Sequence, residues 1–378
     1  MVSIPFISRT FSRLGFRSGL PRTDEIRSRP QIGLTGSFGR GNYGDELYVR
    51  NYQHWLGSWA DLHLLTGLPK PSYFSELGEA PVNLMDSIVL GGGDLLCPYR
   101  PKIDRDFINP IFLRRPLHVA GIGVERNRSD IDPTVLKRWK DFLSHPSVRS
   151  ITTRDPGSQA WIEEHVRPSV SVDMHSDMVC ALPLPPVKRP EGPPIIGLVT
   201  RHIKHPKEYV LVAEMAQKLS NQGWRVRHII GGVGNHGNKD LENSRHLKVY
   251  GKETFHSEDL DAISRALGEC SLVLSMKLHT TLVSVMYGVP TVCVNPVVKA
   301  KAFMEAAGCG NLVVAPNNRR LIELVDAGVP PPPPDRVDAL RSDASAAMHA
   351  LAQRLWEDFR NASRARHSLP AQPKLPNR

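Results

Sequence analysis

Cysteine is scarce and aromatic residues are few. The 378-residue chain holds five cysteines, Cys97, Cys180, Cys270, Cys293 and Cys309, and only 7% Phe, Trp and Tyr. The cysteines are odd in number, far apart and form no Cys-x-x-Cys pair, which argues against a disulfide framework and against a zinc site. A reducing, cytoplasmic compartment is expected. No run approaches the roughly 20 apolar residues that a membrane-spanning helix needs. Arginines interrupt the first apolar run, so a secretory signal is not expected. What remains is a soluble globular composition, 40% hydrophobic and 23% charged. Its length suits two domains rather than one core.

The net charge of +10 is unevenly placed. Residues 1–30 hold six Arg and two acids, residues 341–378 hold six Arg, one Lys and three acids, and residues 31–340 carry only +2. A nucleic-acid groove would put the charge in the folded body, so no nucleic-acid partner is expected. Basic ends suit contact with an anionic surface such as the inner face of a membrane, or serve solubility alone. In the 1–30 arm, Arg9, Arg13 and Arg17 recur every four residues, and Ile7, Phe11 and Leu14 follow a second helical face. The arm reads as a basic amphipathic helix on a membrane surface, a transit-type leader or a disordered segment.

From residue 31, short apolar runs alternate with helical patterns. Strands are expected at Gln31–Gly36, Ser87–Gly91, Leu117–Gly121, Ser150–Thr153, Ile195–Thr200, Trp224–Ile230, Ser271–Met276 and Thr291–Val294. Many are apolar throughout, as parallel strands buried on both faces require. Helical stripes at Pro206–Gly223 and Ser257–Gly268 complete βα units. The proline-rich segment 183–194 interrupts the series and reads as a linker. The expected fold is α/β: two doubly wound parallel-sheet (Rossmann-like) domains, residues 31–182 and 195–330, facing each other across a cleft. Residues 331–378 read as a proline-rich spacer, a helix and a basic tail.

Three glycine-bearing strand ends should meet at the carboxyl edge of the first sheet, where α/β ligands bind. The first is GSFGRGNYGDEL, Gly36–Leu47. Its glycines allow close backbone approach, and the helix that follows offers free N–H groups to an anion. Gly39, Gly41 and Gly44 fit G-x-G-x-x-G, but no acidic residue ends a second strand some 20 positions on, as dinucleotide binding requires. The others are Gly91-Gly92-Gly93-Asp94 and Gly121-Ile122-Gly123. In the second half, an apolar strand runs into Lys277 and His279, where a helix begins. That places a cation and a titratable imidazole at a helix N-terminus, with Ser275 and Thr280 adding hydroxyls. Asn295, Lys299 and Lys301 follow the next strand. Arg154 and Arg201 also follow strands, and arginine suits bidentate carboxylate or phosphate binding.

Taken in order, these blocks resemble the polysaccharide pyruvyl transferases. The family's Asn-x-Gly-Asp-Glu block reads Asn42-Tyr43-Gly44-Asp45-Glu46, its glycine triplet Gly91–Gly93, and its Arg-containing block Thr152–Ser158. An Asp-containing segment matches near Asp173–Asp177, and a strand ending in Arg matches Arg201. The last blocks read Lys277-Leu278-His279, Gly288-Val289-Pro290 and Lys299. Two departures stand out: Lys277 replaces the family's usual Arg, a point charge in place of a fork, and the usual Asp-Pro reads Asp177-Met178.

The resemblance implies a GT-B-like fold and pyruvyl transfer from phosphoenolpyruvate, a donor substrate, to a sugar of a polysaccharide or lipid-linked glycan. No metal or further cofactor is implied. His279 is expected to do acid–base work and Asp45 to orient or deprotonate a hydroxyl. Lys277, Arg154, Arg201, Asn42, Gly44, Gly92, Gly93, Ser275, Thr280 and Lys299 are expected to bind the donor. A nucleotide-sugar glycosyltransferase and a non-catalytic, sugar-binding member of the family are the alternatives.

Overall fold

A computed structural model describes residues 29–65, 80–101, 107–202 and 206–367. The arginine-spaced helix expected before residue 29, and the tail beyond 367, lie outside the described residues. Two all-parallel sheets form the molecule. The first has six strands in the order β2-β1-β3-β4-β5-β6: β1 Gln31–Thr35, β2 Asp61–Leu64, β3 Ser87–Leu96, β4 Leu117–Val124, β5 Val148–Thr153 and β6 Val172–Met174. The second has five, β11-β10-β7-β8-β9: β7 Ile195–Val199, β8 Arg225–Ile229, β9 Glu253–Phe255, β10 Leu272–Ser275 and β11 Thr291–Cys293. Central strands such as β1 and β7 are buried at every residue, as their continuous apolar runs dictate.

Three edge strands were not expected. β2 (DLHL), β6 (VDM) and β9 (ETF) are short, polar and partly exposed, so they carry no buried apolar run. A second difference concerns the glycine triplet. Gly91–Gly93 lies inside β3, which continues to Leu96, rather than after its end. Gly92 has φ 84°, and a Cβ there would lie 2.5 Å from the Tyr48 ring. The chain therefore bends through a conformation only glycine tolerates while passing flat over that ring.

The helices that bear on the cleft and the domain seam are α1 Tyr43–Leu56, α2 Gly234–Asn243, α3 Leu260–Gly268, α4 Leu278–Met286, α5 Val298–Ala306 and α6 Pro334–His367. The last has Pro at its first turn and Asp335 beside it, both favourable at a positive helix end. Val337, Leu340, Ala344, Met348, Leu351, Leu355 and Phe359 bury one stripe of it. This helix packs on the N-terminal domain. Asp343 accepts from the Ser176 N–H (2.6 Å) and hydroxyl (2.8 Å), and Asp358 Oδ2 accepts from the Ser87 hydroxyl at 2.8 Å and pairs with His118 Nε2 at 2.8 Å. Trp356 meets Trp59 edge-on.

The domains also join through α1, which lies against α3 and α4 in one continuous apolar cluster. Tyr43 OH meets Ser264 Oγ at 2.7 Å, and Arg50 holds both oxygens of Asp261 at 2.8 and 3.0 Å. The Gly41 carbonyl accepts the Val233 N–H at 2.8 Å. No helix among the described residues is long and apolar enough to cross a membrane.

Candidate active site

A cleft of about 510 Å³ opens between the carboxyl ends of the two sheets. Its N-terminal wall carries Asn42 and Gly44 at the start of α1, and Asp94 from β3; its C-terminal wall carries Arg201, Lys277 and His279. The strand-end turn at Ser275–Thr280 is tightly knotted. Ser275 Oγ accepts the Lys277 N–H at 3.2 Å and lies 2.7 Å from Thr280 Oγ1. Thr280 and Thr281 donate back to the Lys277 carbonyl at 3.1 and 2.8 Å. These bonds brace the turn, while α4 itself starts without a side-chain cap, which leaves its first N–H groups to the cleft. Ser275 is fully buried and lies outside the cleft lining, and Thr280 lines the cleft with its hydroxyl turned into this knot.

Lys277 is engaged as well. Its ammonium donates to the Gly231 carbonyl at 2.7 Å and pairs with Asp240 of α2, whose second oxygen accepts the His202 N–H at 3.1 Å. The cation thus belongs to the C-terminal wall and arrives already neutralised. Arg201 is the more open charge. It meets Glu208 at 3.5 Å with its side chain 41% exposed.

His279 sits at the first turn of α4, buried at the seam between the domains. Its ring meets the Tyr48 ring edge-on, with centroids 5.4 Å apart. A Cβ on Gly44 would fall 1.8 Å from Nδ1, so α1 comes this close only because residue 44 is glycine. Nε2 lies 3.4 Å from Asp177 Oδ2, with no hydrogen bond closed.

Arg154 is not at the cleft surface. Its side chain is 3% exposed and bridges two carboxylates, Asp94 and Asp177. Lys299 holds the other oxygen of Asp94 at 2.9 Å, and Tyr48 OH donates to Asp177 Oδ2 at 2.8 Å. Burial alone would raise both carboxyls. For Asp94 the charges of Arg154 and Lys299 outweigh it; for Asp177 His279 and Arg154 do; both stay well below the usual carboxylate range. Lys299 lines both the main cleft and a smaller cavity of about 290 Å³ that Arg154 and Asp177 also border.

Asp45 follows Gly44 and accepts from Asn42 Nδ2 at 3.0 Å. Burial raises its carboxyl, and the neighbouring His279 and Lys299 offset this in part. Glu46 turns away and accepts the Gly41 N–H at 2.9 Å; burial pushes its carboxyl up to about 7. Gly93, at φ 88°, leaves room for Asp45 Oδ1, 3.4 Å from where its Cβ would be.

The family described as polysaccharide pyruvyl transferase matches residues 42–296. The chain belongs to the polysaccharide pyruvyl transferase family. No curated protein matches the sequence. Among solved structures, the chain is similar to MnaA of S. aureus with UDP (9% identity, 84% of this chain and 91% of that one, TM-score 0.54). It is also similar to Alr3699/HepE of Anabaena with UDP-glucose (12%, 88% and 99%, 0.51) and to the UDP-GlcNAc 2-epimerase of Neisseria meningitidis (10%, 87% and 100%, 0.51). At these identities the likeness establishes the fold, a GT-B-like pair of parallel-sheet domains.

In this member of the pyruvyl transferase family the fold brings His279, Asp45, Asn42, Gly44, Lys277, Arg201 and Lys299 to one cleft or its edge. It sets Arg154 behind Asp94, and Ser275 inside the α4 turn. Four contributors carry no expected role in the sequence: Tyr48, Asp94, Asp177 and Asp240. Asp94 directly follows the glycine triplet, which is a usable signal. Tyr48 lies two turns into α1 and Asp240 inside α2, so nothing local distinguishes either from an ordinary helix residue.

Proposed function

We propose that this family member transfers the pyruvyl group of phosphoenolpyruvate to vicinal or 4,6-placed hydroxyls of a glycan, with no further cofactor, forming a pyruvate ketal. The supporting observation is that one cleft gathers the α4 N-terminus, His279 and the cations Lys299 and Arg201. A small donor carrying a phosphate and a carboxylate suits such a site. His279 delivers a proton to the donor's methylene carbon, which becomes a methyl group and leaves cationic character at the carbon bearing phosphate. A sugar hydroxyl attacks that carbon and gives up its proton. The C–O bond to phosphate then breaks with its electron pair, and phosphate leaves. The second hydroxyl closes the ketal and releases its own proton. The balance is one donor and one diol in, one ketal and one hydrogen phosphate out. His279 takes back one hydroxyl proton, and Asp45, whose carboxyl is raised by burial, accepts the other and passes it to the departing phosphate; Lys299 and Arg201 offset the charge gathering on phosphate.

The acceptor in this reading is a polysaccharide repeat or lipid-linked sugar met at the inner membrane face, where the basic ends of the chain favour anionic lipid. Calorimetric titration with phosphoenolpyruvate tests the donor. Saturable binding, weakened at least about tenfold in Lys299→Ala by loss of one charge-assisted contact, is expected. Binding of a nucleotide sugar with none of phosphoenolpyruvate would overturn the proposal.

A further inference from the structure

The two nitrogens of His279 occupy different surroundings. Nε2 is buried with no hydrogen bond closed, yet it lies 3.4 Å from Asp177 Oδ2. Nδ1 lies on the Gly44 side, and Gly44 lines the cleft. A buried ring nitrogen without a partner is costly, so the N–H belongs where an acceptor is within reach. Asp177 is that acceptor. It is itself fixed from three directions: Tyr48 OH donates to Oδ2 at 2.8 Å, Arg154 donates to the same oxygen at 3.2 Å, and Oδ1 accepts the Val179 N–H at 3.1 Å. A carboxylate so held has little freedom to follow any other partner.

The geometry points to Asp177 as the positioning residue of His279: it keeps the proton on Nε2, so that Nδ1, on the cleft side, is the atom that gives and takes the proton. The inference rests on the acid–base role proposed for His279 and adds which nitrogen acts and what orients it. Asp177 belongs to the N-terminal domain and His279 to the C-terminal one, so the orientation exists only when the two domains are closed on each other. The doubly protonated ring releases its Nδ1 proton to the donor's methylene carbon and becomes the Nε2–H tautomer. Nδ1 then accepts a hydroxyl proton, and Asp177 stays ionised throughout.

The test uses full-length protein labelled with 15N-histidine, with the His279 signals assigned by their loss in His279→Ala. At a pH where the ring is neutral, wild-type His279 is expected as the Nε2–H tautomer with Nδ1 unprotonated. The opposite tautomer would overturn the inference. This readout needs no activity, so it stands apart from the fate of the proposed reaction. In Asp177→Asn the tautomer preference is expected to be lost and kcat to fall about 100-fold with KM for phosphoenolpyruvate little changed. Tyr48→Phe, which leaves Arg154 on Asp177, is expected to lose less. Wild-type kcat in folded Asp177→Asn would overturn the inference while leaving the reaction intact; a wild-type protein that transfers no pyruvyl group but shows the Nε2–H tautomer would uphold the pairing and overturn the reaction.

Discussion

Gly44→Ala tests the seam on which the site is built. Residue 44 is in the first turn of α1, where Ala is intrinsically better than Gly by roughly 0.5–1 kcal/mol. Against this, the new methyl would lie 1.8 Å from His279 Nδ1 and 2.8 Å from its Cβ. Ordinary contact begins near 3.4 Å, so α1 and α4 must separate or the ring must swing aside by more than 1 Å. Overpacking of this kind costs about 1–3 kcal/mol, and a shift of about 1 Å at a reacting group costs on the order of 100-fold in rate. A double-mutant cycle read by urea denaturation isolates the contact without any activity assay. Gly44→Ala is expected to destabilise the wild-type protein by about 1–2 kcal/mol and the His279→Ala protein by clearly less, because truncation removes the ring contacts and leaves only the 2.8 Å approach to Cβ. The same change in both backgrounds would show that residue 44 and the imidazole are not in contact.

The other predictions concern buried charge. Arg154→Ala strands Asp94 and Asp177 without their shared cation, and is expected to cost about 3–5 kcal/mol in urea stability; an unchanged midpoint would mean the bridge is not formed. Asp358→Ala leaves the Ser87 hydroxyl and His118 Nε2 without their acceptor under α6, and should cost about 1–3 kcal/mol, with Asp358→Asn milder, both measured by thermal melting. Glu46 gives a pH signature. Its carboxyl is raised by burial from 4.5 to about 7, so the folded protein holds this proton more tightly than the unfolded chain. The resulting stability is complete below about pH 4.5 and is lost as pH rises through about 7, a span of roughly 3 kcal/mol. Glu46→Gln, which mimics the protonated acid, should therefore gain on wild type between about pH 5 and pH 8; a pH-independent difference would refute the assignment.

The central parallel strands, the helical stripes that run up to Gly223 and Gly268 and the division into two parallel-sheet domains were legible because each rests on a local pattern: a fully apolar run, a 3.6-residue stripe, a proline-rich interruption. The edge strands were not, since β2, β6 and β9 draw their stability from a neighbour's backbone rather than from buried side chains. In the site, Gly44, Asp45, Lys277 and His279 could be picked out because each stands at a strand end or helix start, where backbone N–H groups are free. The environment of each could not. Lys277 looked like an open anion-binding charge, but Asp240, inside a helix 37 positions earlier, neutralises it. Arg154 looked like a donor ligand for the same reason, and two buried carboxylates hold it instead.

That pattern has a physical consequence for how the cleft works. Asp94 takes Arg154 on one oxygen and Lys299 on the other, so it occupies the cations that an incoming anion would seek. A donor carboxylate or phosphate reaching Lys299 must compete with Asp94, and whatever it displaces leaves Arg154 and Asp177 to rebalance their charge. Because Asp177 also faces His279, donor binding at Lys299 is coupled through three ion pairs, Lys299–Asp94, Asp94–Arg154 and Arg154–Asp177, to the group proposed to move the proton. Asp94→Asn separates the terms of this coupling. It removes the competing charge, so phosphoenolpyruvate should bind more tightly. It also leaves Arg154 to Asp177 alone, which strengthens the anchor under His279 rather than weakening it. Tighter donor binding is thus expected with the Nε2–H tautomer of His279 retained; weaker binding would show that Asp94 supports the donor site through its structure more than it competes for it.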